Sequence, residues 1–158
     1  MTTRRDFLGG LAATACAGCS VPPEAVAHRV SIAATDLACE REPLVRPFGF
    51  KGGYLTELWQ AVAKLTGASG TSGVGLGTQS VLWSDATIFS SRSEAAGNEL
   101  MFALTRQALE LARGRSFETP VELLDALYPE VLAYGRTLSG RPDLRPTFAL
   151  NALVAVDN

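Results

Sequence analysis

Apolar residues fall along this chain in three different rhythms, and each predicts a different element. Between His28 and Leu37, Val30 and Ile32 alternate with polar neighbours, the mark of a half-buried strand. A loop punctuated by Pro43 and Pro47 follows and runs into Phe48-Gly49-Phe50-Lys51-Gly52-Gly53. From Tyr54 to Leu65 the spacing of Leu55, Leu58, Trp59 and Val62 favours a helix on period alone. Five glycines between Gly67 and Gly77 predict a turn-rich stretch whose backbone closely approaches something else. Val74, Leu76 and Val81-Leu82-Trp83 then read as a short strand entering a loop that ends near Asp85.

Beyond residue 90 the rhythm is helical. Leu100, Leu104, Ala108 and Leu111 share a face, with Ser93 as N-cap and Gly114 as the stop. Thr119-Pro120-Val121-Glu122 is a capping box with proline at the first helical position. It opens a helix through Leu123, Leu124, Leu127 and Tyr128, which Pro129 kinks or restarts on the way to Gly135. After the loop Ser139–Asp143, the run Phe148, Leu150, Leu153, Val154 is still apolar at Asn158 and carries no stop signal, so a continuing chain is expected.

The first residues read as an address. Arg4 and Arg5, one spacer, then Phe7 and Leu8 form a twin-arginine pattern, followed by small and apolar residues to Gly18. The competing reading is a frayed amphipathic helix. Two cleavage positions stay open: before Cys19, where Ala17-Gly18-Cys19 resembles a lipobox with Cys16 in the usual leucine position, or after Ala25-Val26-Ala27. The expected division is an export signal over 1–19, a Pro/Ala linker over 20–27 and one domain over 28–158, periplasmic or membrane-anchored through Cys19.

Composition narrows the function by exclusion. Fourteen basic against sixteen acidic residues in 158 make no field for nucleic acid or for an anionic membrane surface. Three clustered cysteines make no disulfide framework. The lysines, Lys51 and Lys64, do not follow glycine as a phosphate-binding loop requires, and Gly73-x-Gly75-x-Gly77 does not open a helix as a dinucleotide fingerprint would. One histidine, His28, has no partner at metal-ligand or triad spacing. Neither a catalytic set nor a metal set is expected in this chain.

Two loops carry what chemistry remains. Phe48, Phe50, Lys51 and Tyr54 sit in the first, and Thr78, Gln79, Trp83 and Asp85 in the second. Rings on glycine-rich backbone with one cation suit a lid over a small polar ligand. The same rings equally suit the edge of a small core.

Three stretches carry a family resemblance. Pro43-Leu-Val-Arg-Pro47-Phe, Gly49-Phe-Lys-Gly-Gly-Tyr54 and Gly73-Val-Gly-Leu-Gly-Thr-Gln-Ser-Val-Leu-Trp-Ser-Asp85, with the alanine-rich run Phe148–Asp157, resemble the N-terminal capping domain of enolase-superfamily enzymes. The nearest group is that of mandelate racemase and muconate lactonizing enzyme, with dipeptide-epimerase relatives. The resemblance implies an α+β fold, a three-stranded antiparallel meander followed by a helical bundle, and it recasts Tyr54–Leu65 as the second strand. It places Phe48, Phe50, Lys51 and Tyr54 in one substrate-lid loop and Leu76, Gln79 and Trp83 in the other. Where the family carries G-x-G-E, this chain has Gly75-Leu-Gly77-Thr78-Gln79, without the glutamate.

The catalytic (β/α)8 barrel that such a cap covers is absent from these 158 residues. The resemblance therefore implies a parent that abstracts the proton α to the carboxylate of a small substrate on Mg2+, with the metal and the acid/base groups outside this chain. The chain alone is expected to be inactive. Its rival is a free-standing exported module that binds a small ligand or a partner.

Overall fold

The computed structural model describes residues 29–50 and 53–158. The chain is α+β, with an antiparallel sheet ordered β3-β2-β1-β4 and helices gathered after it. The meander is built from β1 (Val30–Phe50), β2 (Gly53–Gly67) and β3 (Ser72–Gln79), and the two-residue β4 (Ser116–Phe117) pairs with Val30 and Ser31 at the far side of β1. The expected meander is present, and β4 widens it.

β2 overturns the helical reading of Tyr54–Leu65. Its odd residues Leu55, Trp59, Ala61 and Ala63 turn toward the helices and are buried, while Leu58 and Val62 lie on the other face. Two apolar positions on each side of one strand mimic a helical stripe. β1 is longer than expected, because the proline-marked segment belongs to it, with a register shift between Pro43 and Phe48. Past Ile32 its outer edge has no strand partner among the described residues. Proline, which lacks an N–H, and the charges of Asp36, Glu40, Glu42 and Arg46 keep that edge from pairing elsewhere.

The glycine run divides in two. Only Gly67–Thr71 is a turn, closed by the Gly67 N–H donating to the Thr71 carbonyl at 2.8 Å, with Gly70 at φ 84°. Gly73, Gly75 and Gly77 belong to β3 and pair with Leu65, Ala63 and Ala61. The backbone that approaches closely is α5 (Pro146–Asp157): a Cβ on Gly77 would stand 2.7 Å from the Ala155 nitrogen, and one on Gly75 would overlap the Ala155 carbonyl oxygen. The same helix also covers the free edge of β3. Asn151 and Asn158 donate side-chain N–H groups to the Thr78 and Leu76 carbonyls at 3.1 and 2.9 Å.

Val81-Leu82-Trp83 is not a strand but the turn α1 (Val81–Ser84), followed by α2 (Ala86–Ser91). Side chains from distant helices hold this corner. The Val81 N–H donates to Asn98 Oδ1 at 2.9 Å, and Asn151 Oδ1 accepts from the Ser80 N–H at 3.0 Å and from Ser84 Oγ at 2.9 Å. α3 (Glu94–Ala112) starts at Ser93, whose hydroxyl accepts from the Ala96 N–H, and its end leads to Gly114 at φ 80°, as expected.

α4 (Pro120–Ser139) is one helix across Pro129 and runs past Gly135, which is not its stop. Gly135 is interior because a Cβ there would meet Leu104 at 2.8 Å and Leu144 at 2.9 Å; the stop is Gly140, at φ 67°. Thr119 Oγ1 accepts from the Glu122 N–H at 3.2 Å, and Glu122 accepts in turn from the Glu118 N–H at 2.8 Å. Thr119→Ala is expected to lower stability by about 1 kcal/mol, measured by urea unfolding. α3, α4 and α5 enclose the core around Met101, Leu104, Leu127, Val131, Phe148 and Leu153, all fully buried.

Candidate functional site

The hairpin of β1 and β2 projects toward α1 and α2. A Cβ on Gly53 would stand 2.5 Å from the Phe89 ring and 3.1 Å from Leu82, so the absence of a side chain lets the hairpin seat against both helices. A second fastening comes from the first residue of α3: the Glu94 carboxylate accepts from the Thr56 N–H at 3.2 Å and from Thr56 Oγ1 at 2.9 Å.

That seating brings rings from two distant parts of the sequence together. Phe48 and Phe50 stack with centroids 6.4 Å apart, and Phe50 and Trp83 meet in a T-shaped pair at 6.1 Å and 83°. All three stay substantially exposed, Phe48 at 51% and Trp83 at 45%. Beside them lies an open apolar groove of about 500 Å³, lined by Leu44, Val45, Arg46, Leu55 and Leu58 with Phe48 and Trp83.

Of the residues expected to form a lid, Phe48, Phe50 and Trp83 come together. Tyr54 is exposed, and its ring lies over Gly49. Leu76 is exposed on the outer sheet face, in the cross-strand row Ala38–Val62–Leu76, and does not line the groove. Gln79 is buried on the helix side, where its Nε2 donates to Thr105 Oγ1 at 2.5 Å. Lys51, the signal residues Arg4, Arg5, Phe7 and Leu8, and Cys19 lie outside the described residues. Leu44, Val45, Arg46, Leu55 and Leu58 were not anticipated; the signal was the Leu-Val-Arg triplet between two prolines, where a register shift turns side chains out of strict alternation.

Two charged groups brace this end of the molecule. Arg41 donates to Glu57 through Nη2 at 2.6 Å and lies 4.4 Å from the centroid of Trp59, whose Nε1 also donates to Glu57 at 2.8 Å. The Arg41 hydrogen bond leads in holding the Glu57 carboxyl below its usual range. Asp85, buried, caps α2: Oδ1 accepts from the Thr87 N–H at 3.0 Å and the Ile88 N–H at 3.3 Å, while Oδ2 accepts from the Arg145 N–H at 3.3 Å. Burial pushes that carboxyl up, but the Thr87 hydroxyl and the three backbone donors outweigh it and leave it lowered.

Among the described residues no three His, Cys, Asp or Glu side chains come together to hold a metal ion. No described helix is long and apolar enough to cross a membrane.

With this geometry the chain resembles solved enzymes over part of their length. L-talarate/galactarate dehydratase from Salmonella typhimurium LT2 matches 92% of this chain with 33% of its own, at 20% identity and a TM-score of 0.50. A mandelate racemase/muconate lactonizing protein from Herpetosiphon aurantiacus matches 80% with 28% of its own, at 15% identity and a TM-score of 0.45. Dipeptide epimerase from Enterococcus faecalis V583 matches 70% with 26%, at 12% identity and a TM-score of 0.42. No protein-family model and no curated protein matches the chain. The fold is thus that of a segment of the L-talarate/galactarate dehydratase structure, and the chain spans about a third of the length of the solved structures it matches.

Proposed function

We propose that this chain is the capping domain of an exported enolase-superfamily enzyme, and that the Phe48–Phe50–Trp83 cluster is part of the lid over its substrate. The observation that carries the proposal is the cluster itself: three rings from two separate segments meet on a braced hairpin, yet remain open to solvent instead of closing a core. The partner is a C-terminal (β/α)8 barrel, which would supply Mg2+ and the groups that take the proton α to a carboxylate. Racemase, epimerase, cycloisomerase or dehydratase outcomes all begin with that proton. Residues 1–19 serve as the twin-arginine export signal and 20–27 as linker, which puts the enzyme in the periplasm or, through Cys19, on a membrane.

The test is the source DNA beyond the Asn158 codon. A frame that continues for about 200–250 codons with a K-x-K strand and later carboxylate ligands supports the enzyme. An immediate stop with no barrel in any frame overturns it and leaves a small-ligand-binding module. In the complete enzyme, Trp83→Ala is expected to lower kcat/KM at least about tenfold, equivalent to about 1.4 kcal/mol of transition-state stabilisation. The same change should alter stability by only about 1 kcal/mol, because the ring is half exposed. Steady-state kinetics beside urea unfolding separates the two effects.

A further inference from the structure

We infer that the groove beside the aromatic cluster selects carboxylates with an apolar, aryl or alkyl body over polyhydroxylated acids, with Arg46 taking an anionic group at the groove's mouth. The inference rests on the lid reading and adds the substrate class to it. The groove wall is hydrocarbon from Leu44, Val45, Leu55 and Leu58 and ring from Phe48 and Trp83. Among the described lining residues only Arg46 and Trp83 have side chains with hydrogen-bonding groups, and both side chains are donors without an acceptor. Arg46 makes no ion pair with another described residue, whereas Arg41, five positions earlier in β1, is already committed to Glu57.

These facts decide between ligand chemistries. A carboxylate brings acceptors for the guanidinium, and an aryl or branched alkyl body replaces water over the apolar wall. A sugar diacid brings a hydroxyl on each internal carbon, and a hydroxyl hydrogen that gave up its water to enter this groove would gain no side-chain acceptor from the described lining. Acceptor side chains that favour hydroxylated acids are Asn, Gln, Asp, Glu or Ser, and the described residues of the groove lining include none of them.

The chain has two tryptophans, so its spectrum carries two indole N–H resonances, and a Trp83→Phe variant identifies which is which. We would titrate the 158-residue chain with 4-phenylbutanoate, with its neutral amide and with galactarate, following the Trp83 indole by NMR. The expected result is a saturable Trp83 shift at a 4-phenylbutanoate concentration at least about tenfold below that for galactarate. Arg46→Gln should weaken the carboxylate by about tenfold and leave the amide unchanged.

Galactarate binding as well as or better than 4-phenylbutanoate, with a Trp83 shift, overturns the substrate class while the lid reading stands. Equal weakening of amide and carboxylate by Arg46→Gln overturns the role of the guanidinium. A folded chain whose Trp83 answers neither acid overturns the groove as a ligand site, while the lid reading is decided separately by the Trp83→Ala kinetics of the complete enzyme.

Discussion

Gly75→Ala is expected to lower the stability of this chain by roughly 3 kcal/mol or more, while Gly73→Ala, two residues away on the same face of the same strand, changes it by less than about 0.5 kcal/mol. The difference lies in what a single methyl group would meet. At Gly75 it would overlap the Ala155 carbonyl oxygen and press on the Asn158 backbone at 3.2 Å. These are backbone atoms of α5, so no side chain can rotate aside and the helix must shift as a body. That helix also carries Phe148, Ala152 and Leu153 fully buried into the core, so a shift at Ala155 disturbs the whole enclosure. At Gly73 nothing lies within 4 Å, and the lost backbone freedom of the unfolded chain favours alanine. Paired urea titrations decide the matter. Equal midpoints for the two variants would mean that α5 does not rest on β3.

The second large effect belongs to Asp85. Asp85→Ala removes the acceptor for the Thr87, Ile88 and Arg145 N–H groups together, at a site only 1% exposed, and is expected to destabilise by about 2–4 kcal/mol. The wild-type dependence on pH follows from the sign of the shift. The folded carboxyl is lowered, so its contribution is fully present above the unfolded value of about 4 and is lost as pH falls through the folded one. Asp85→Asn keeps an oxygen toward Thr87 and Ile88 but turns an amide donor toward the Arg145 N–H. It should be less stable than wild type near neutrality and approach it as pH falls below 4. The difference between the two unfolding curves is the useful quantity, because Asp143, held down to about 2 chiefly by the Arg141 hydrogen bond, titrates in the same window in both proteins. A difference that stays constant with pH would remove Asp85 as its source.

The α3 and α4 caps were legible because they are local. Ser93, Gly114, Thr119 and Glu122 act within a few residues of themselves, and their positions in sequence determine their partners. β2 was illegible to periodicity because alanine scores weakly. Ala61 and Ala63 are fully buried positions of the strand, while the more apolar Leu58 and Val62 lie on its outer face. Only the resemblance to a known family recovered the strand. α1 was missed for a different reason: its corner is held by Asn98 and Asn151, 17 and 71 residues from the N–H groups they accept from.

The site was legible in part and for the same reasons. Phe48, Phe50 and Trp83 stood out as rings on glycine-rich backbone, and the fold does unite them. Strand alternation separated their neighbours: Gln79 turned inward to Thr105 and Leu76 outward to the open face. Arg46 was hidden between two prolines, where a register shift interrupts the alternation that would have assigned it to a face.

The position of α5 also has a consequence for synthesis. β3 is complete at Gln79, but the asparagines that occupy its edge carbonyls are Asn151 and Asn158. A chain growing from the ribosome therefore holds an uncovered strand edge while nearly eighty more residues are made, a sequence length over which stray pairing between nascent chains competes with folding. The Gly-Val-Gly-Leu-Gly composition that lets α5 come so close also makes that waiting edge a poor template, since glycine lowers strand propensity wherever no helix covers it. The residues that admit the helix thus also guard the strand until the helix arrives.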